Sequence, residues 1–224
     1  MSDWNLWEQR LVSFIAEIEK IGGEFEGYTI KPPADLLEIK KIEEQLGHRL
    51  PQSFVRVMTE FSRGMKVSWS LPDEDSLSTP LPEELQGLFA SNFSWDIDEI
   101  LSIEEARRGW VTEVFPDPND PYDAVWHNKL AFMEVGNGDY LAFDLAITED
   151  PPIVYLSHDD GEGHGFLLGS NFIDFFNRWT QVGCVGCEDW QLLPFMKDSK
   201  SGIDPLSKNA VLWRSWLSTT KKIV

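Results

Sequence analysis

Basic side chains are scarce: 19 lysines and arginines stand against 38 aspartates and glutamates, a formal charge of −19 over 224 residues. Nucleic acid is held mainly by lysine and arginine neutralising phosphates, so this chain repels DNA, RNA and anionic membrane surfaces at long range. Cysteine is nearly absent. Cys184 and Cys187 are too few for a disulfide scaffold and fit a reducing compartment. No run approaches the roughly 20 apolar residues of a membrane span, and Met1 to Arg10 lacks a basic stretch followed by an apolar one. A cytoplasmic protein is therefore expected. The chain also lacks a G-x-S-x-G elbow, a G-x-x-x-x-G-K-S/T loop and a G-x-G-x-x-G turn, which disfavours serine-hydrolase and phosphate-nucleotide enzymes. No cofactor is expected.

What is present is globular in character. Hydrophobic residues make up 42% and charged residues 25%, so the acidity comes from a skewed sign ratio and disorder is not the default. The length corresponds to one large domain or about one and a half, able to bury roughly 70% of its unfolded surface. Ten tryptophans and fourteen phenylalanines supply much of that core.

Hydrophobic spacing predicts helices over 3–21, from Asp35 as N-cap with Glu38 completing a capping box, from Pro51 to about Ser62, from Ser102 with Glu105 three residues on, from Ser170, and over about 204–219. Val67, Trp69 and Leu71 alternate with polar residues, the pattern of a half-buried strand. A short link through Tyr28 and Ile30 joins the first two helices. Residues 72–94, rich in proline, serine and acid, read as a mobile loop with at most a short helix near 83–89. Leu130–Val135, Tyr140–Leu145 and Ile153–Leu156 form the sheet centre, with Asn137-Gly138 as a hairpin signal. These runs are apolar on both faces, so helices are expected to cover much of the sheet, although one face could hold a ligand.

The ordered blocks PADLLEIKKIEEQLGHRLPQSF, FMEVGNGDYLAFDL, PPIVYLSHDD and NFIDFFNRW resemble the SUKH superfamily, which includes fungal cell-wall-synthesis regulators of Smi/Knr type and many bacterial immunity proteins. Matching positions include Glu43, Leu46, Gly47, Leu50 and Pro51, then Gly138, Asp139, Tyr140 and Asp144, then Tyr155, His158 and Asp159, and finally Phe172 and Phe175. The resemblance covers about 32–180, with an extra N-terminal helix and a C-terminal extension over 181–224. It implies an α+β fold, a mixed, mainly antiparallel sheet packed by helices, within a single domain over 1–224. It also implies a protein that works by binding another protein and carries no general catalytic activity.

His158, Asp159, Asp160, Glu162 and His164 fall within seven positions and are metal-ligand types. They lack the spacing of a calcium loop or a helical zinc motif, so a glycine-rich polar turn is the plainer reading. Asp139 and Asp144 bracket a strand at odd separation, which points them to opposite faces; hydrogen bonding to the hairpin turn and to the strand end explains them without catalysis. The C-x-x-C of Cys184 and Cys187 follows a helix and reads as buried cysteine rather than a redox motif. His48 and His127 are isolated, a helix-exit residue and one beside a strand.

The expectation is a non-enzymatic immunity protein that binds and neutralises a cognate toxin, a basic nuclease or deaminase by charge complementarity. The alternatives are a regulatory, scaffold or small-ligand-binding module of the same superfamily, and a metal enzyme using His158 to His164. Candidate contact residues are Asp73, Glu74, Asp75, Asp159, Asp160 and Glu162 in the acidic loops. Trp69 and Trp95, which flank the first loop, are candidate anchors.

Overall fold

The computed structural model describes residues 3–146 and 150–223. Helix α1 (Asp3–Lys20) buries Trp7, Leu11, Phe14 and Ile18 on one face and ends at Gly22, whose φ of 88° is a left-handed value that glycine adopts freely. Strand β1 (Glu24–Ile30) follows where only a link was expected. A bulge between Phe25 and Gly27 breaks its two-residue period and hides it from pattern reading.

Helix α2 (Leu36–Leu46) opens on the expected capping box: the Asp35 carboxylate accepts from the Leu37 and Glu38 amides, and Glu38 accepts from the Asp35 amide. Helix α3 (Gln52–Glu60) follows Pro51 directly, and strand β2 (Gly64–Ser70) carries the expected alternation. The intervening loop holds only two single 3-10 turns, Glu74–Ser76 and Glu83–Leu85. Its Leu77, Leu85 and Leu88 are buried. Strand β3 (Ala90–Asp96) occupies its end, including residues assigned to the loop from sequence.

Helix α4 (Ile100–Glu113) begins ahead of Ser102. The expected Ser102–Glu105 capping box is absent, because the Ser102 hydroxyl donates to the Glu99 carbonyl inside the helix instead. After the short α5 (Asp123–Trp126) come β4 (Lys129–Glu134), β5 (Tyr140–Asp144), β6 (Ile153–Leu156) and β7 (Leu167–Gly169). Helix α6 (Phe172–Val182) is capped by Asn171 rather than Ser170. The short α7 (Asp189–Leu192) precedes α8 (Lys208–Thr219), which starts later than expected because Ser207 caps it.

The strands form two sheets, in the orders β1-β2-β3 and β4-β5-β6-β7. All pairings between these strands are antiparallel, so the expected mixed character is not realised. The α+β class stands.

The two sheets are covered differently, as their sequences dictate. Strands β4 to β6 are apolar on both faces. Leu130, Phe132, Leu141, Phe143 and Tyr155 join the main core, while Ala131, Tyr140, Ala142, Val154 and Leu156 join a second cluster with Trp110, Phe115 and Trp126 from α4, α5 and the loop between them. Helix α6 fills the main core: Phe93 stacks on Trp179 at 4.3 Å between centroids, and Trp95 meets Phe176 edge-on at 5.2 Å. In the first sheet Met65, Val67, Trp69, Phe93 and Trp95 face that core, and Phe25 and Ile30 of β1 pack against it half-buried. The opposite face carries Thr29, Lys66, Ser68, Ser70, Ala90, Asn92 and Ser94, paired across the strands, and residues of α7 border it at the Ala90 end.

One buried ion pair fixes the second cluster. Glu104 and Arg107 on α4 are 2% and 6% exposed. The Glu104 carboxylate accepts from Arg107, from Arg108 and from the Ala131 amide of β4, while Arg107 also donates to the Trp126 carbonyl. Burial opposes ionisation of Glu104, but these donors hold its carboxyl below the usual range.

Candidate functional site

The structure gathers one of the two acidic loops, and the tip of the β4–β5 hairpin, around α7. The hairpin tip is built on Gly138, at φ 93°, whose amide donates to the Val135 carbonyl. It places Asp139, 0% exposed, as a hub. One Asp139 oxygen accepts from the Tyr155 hydroxyl (2.6 Å) and the Asn137 amide (2.8 Å), the other from the His158 backbone (2.8 Å) and His158 Nδ1 (2.6 Å). Burial, and then the hydrogen bond to this carboxylate, push the Tyr155 phenol far up, so it stays a donor.

Asp139, His158 and Asp159 bring ligand-type atoms within 4.8 Å of one another, the one such group among the described residues. The geometry does not ask for an ion. Four donors occupy the roughly four lone-pair directions of the Asp139 carboxylate, and Asp159 accepts from the Ser157 hydroxyl at 2.9 Å. His164 is drawn out of the group altogether. Its Nδ1 accepts from the Ser157 amide at 3.0 Å and its Nε2 faces the Tyr122 carbonyl at 3.1 Å, which fixes a neutral tautomer with the proton on Nε2. The ring stacks on Tyr122 at 3.8 Å, and burial lowers its pKa.

Asp144 lies away from Asp139 and pairs with Lys129 at 2.9 Å while accepting from the Ala146 amide, a strand-end role. His48 contacts the Arg49 carbonyl and His127 the Phe115 carbonyl. Cys184 and Cys187 are buried free thiols, and burial pushes both far above the range in which a thiolate forms.

The expected anchors are corrected. Trp69 and Trp95 are each 1% exposed; their indole N–H groups donate to the carbonyls of Cys184 and Ser62. They face inward because the strand alternation that places them also places Val67 and Phe93 there. Neither offers surface to a partner.

Exposed aromatic surface lies instead at Phe89 and Trp190, 57% and 39% exposed. Their rings stack with centroids 5.8 Å apart at 27°, and the Trp190 indole donates to the Glu188 carboxylate at 2.7 Å. A Cβ on Gly87 would stand 2.6 Å from the Trp190 ring, so the absent side chain there makes room for it. The acidic loop 159–162 is tied to the same helix: the Gly163 amide donates to Asp189 at 3.1 Å, and Cβ atoms on Gly161 or Gly163 would collide with Asp189. Asp159, Asp160 and Glu162 are exposed beside it. Exposed Asp73, Glu74 and Asp75 leave the first sheet at the same end, where the Leu71 amide donates to the Phe89 carbonyl. The carbonyl of Ser76 and the amide of Ser78 are in turn bonded to the C-terminal residues Ile223 and Lys221. A cavity of about 200 Å³ lined by Glu26, Asn92, Gly136, Glu188 and Trp190 connects this patch to the polar face of the first sheet.

Sequence reasoning passed over Phe89 and Trp190. Phe89 continues the spacing of Leu81, Leu85 and Leu88 and so reads as part of a short helix, and no apolar period includes Trp190.

This surface combines one exposed, stacked aromatic pair with neighbouring exposed carboxylates. The model of the SMI1 / KNR4 family (SUKH-1) matches residues 33–178, and the chain belongs to that family. None of the curated proteins compared matches it. No helix among the described residues is long and apolar enough to cross a membrane.

Proposed function

We propose that this protein is a non-enzymatic immunity protein that binds a basic toxin domain and covers its active surface. Phe89 and Trp190 anchor the contact, and the carboxylates of 73–75, 159–162 and Glu188 surround them. The observation that carries this reading is the stacked, exposed Phe89–Trp190 pair, its indole bonded to the Glu188 carboxylate, on a chain of charge −19. Interfaces concentrate their energy in such aromatic anchors, and charge of one sign around them speeds encounter with a partner of the other. Family membership supports a binding role. The whole chain acts as one unit in this reading, because Trp7 of α1 and Trp213 of α8 share the main core with the family region. The cytoplasm is its place.

The test has two stages. Tagged protein is used as bait in lysate of its own source, washed at rising salt, and each retained protein is identified. Each is then expressed in a heterologous host with and without this chain. A basic protein that kills alone and is harmless in co-expression supports the proposal. A retained partner that is harmless alone overturns neutralisation and points to the regulatory or scaffold role.

A further inference from the structure

A second surface lies on α1, α8 and the end of α6, and shares no residue with the patch around Trp190. There a groove of about 600 Å³ has apolar walls that include Leu6, Phe14, Leu206 and Leu217. Arg10 and Arg214 line it as well. In a protein with twice as many acids as bases, neither guanidinium forms a salt bridge with a described residue. Arg10 spends one nitrogen, Nη1, on Asn177 and Thr180, and Arg214 spends its Nη1 on the Gln181 carbonyl. Burial lowers the pKa of both half-buried arginines, at Arg10 by more than the charge of Asp3 raises it. Glu17 also lines the groove, but Lys20 sits 2.7 Å from its carboxylate and neutralises it. The lining therefore carries local positive charge on an acidic molecule. Every residue that lines it lies outside the family-matched 33–178, so the groove belongs to what this chain adds to the family fold.

We infer that this groove is a binding site for a small amphipathic carboxylate, its acyl body against the leucines and Phe14 and its headgroup between Arg10 and Arg214. The size falls within the range of small-ligand sites, which combine apolar walls with a few fixed polar groups. Guanidinium is the side chain that matches a carboxylate in two parallel hydrogen bonds. A macromolecular interface would need a larger area than this groove supplies.

Decanoate, below its micellar concentration, is titrated into the full chain by calorimetry, beside butyrate and decyltrimethylammonium. Saturable one-to-one binding of decanoate is expected, with butyrate at least tenfold weaker and the cationic amphiphile giving none. Arg214→Gln and, at the 83%-exposed rim residue, Leu206→Glu should each weaken decanoate at least tenfold while melting as the parent does. Leu206→Glu keeps the test decisive if the arginine variant fails to fold. Absence of decanoate binding, equal binding of the cationic amphiphile, or binding unmoved by a folded variant overturns the inference.

Discussion

Phe89, just before β3, and Trp190, in α7, stack at 5.8 Å while both stay open to solvent. Gly87 leaves the space in which the indole sits, and the Glu188 carboxylate accepts its N–H. Exposed tryptophan at the centre of a contact typically contributes 2 kcal/mol or more. Trp190→Ala should therefore weaken partner binding by about 2 kcal/mol, roughly thirtyfold in Kd, with unfolding in urea nearly unchanged. Surface plasmon resonance on the captured partner checks it; an unchanged Kd places the interface elsewhere.

Gly87→Ala tests the same surface without deleting an aromatic. The added methyl would meet the ring at 2.6 Å and must push it off Phe89. Affinity should fall severalfold though every aromatic remains. A wild-type Kd would mean that the position of Trp190 is irrelevant to binding.

Much of the fold was legible because burial imposes a period. The capping box at Asp35, the alternation of β2 and the two-faced apolar runs of β4 and β5 could be read directly. Strand β1 was missed because its bulge destroys the alternation, and β3 because its first residues resemble the polar loop before it. The site was half legible. The loop 159–162 could be named from its charge, but its attachment to Asp189 depends on contacts across 26 residues. Phe89 and Trp190 were not legible because periodicity reports what the core needs and carries no mark of an exposed contact. That logic also misassigned Trp69 and Trp95, whose alternation was the sign of burial.

Charge reversal separates steering from anchoring. Asp159, Asp160 and Glu162 changed together to lysine should lower the association rate about tenfold at low salt and much less at high salt, because rim charges act mainly before contact. The dissociation rate should change little. The same replacement at Asp73, Glu74 and Asp75 gives an independent reading of the first loop. Stopped-flow association at two ionic strengths checks both, and salt-independent rates would remove that loop from the encounter surface.

The Glu104–Arg107 pair should matter to stability and not to binding. Arg107→Leu leaves a buried carboxylate with a partner missing, which costs about 3 kcal/mol or more. Replacing both residues by leucine removes the stranded charge as well and should recover part of that loss. Urea midpoints for the single and double variants check the order; a double variant no more stable than the single would show that the hydrogen bond to the Ala131 amide dominates.

His164 gives the fold a pH dependence of defined sign. Its pKa is lowered in the folded state by burial, from the ordinary value of 6.5, and its Nδ1 must stay unprotonated to accept from the Ser157 amide. Above pH 6.5 the ring is neutral in both states and contributes no pH dependence. As pH falls below 6.5 the unfolded chain takes up the proton first, so stability declines with a slope of at most about 1.4 kcal/mol per pH unit until the folded pKa is reached. Glu104 acts in a separate window: its folded pKa is depressed, so its contribution is full above the ordinary value of 4.5 and is lost only as pH falls through the folded value. Between pH 5 and 6.5 a comparison of the parent with His164→Gln, whose amide oxygen can still accept from Ser157, isolates the histidine. The urea midpoint of the parent should drop across that interval more steeply than that of the variant. Parallel slopes would show that His164 titrates alike in both states and that its burial costs the imidazolium nothing.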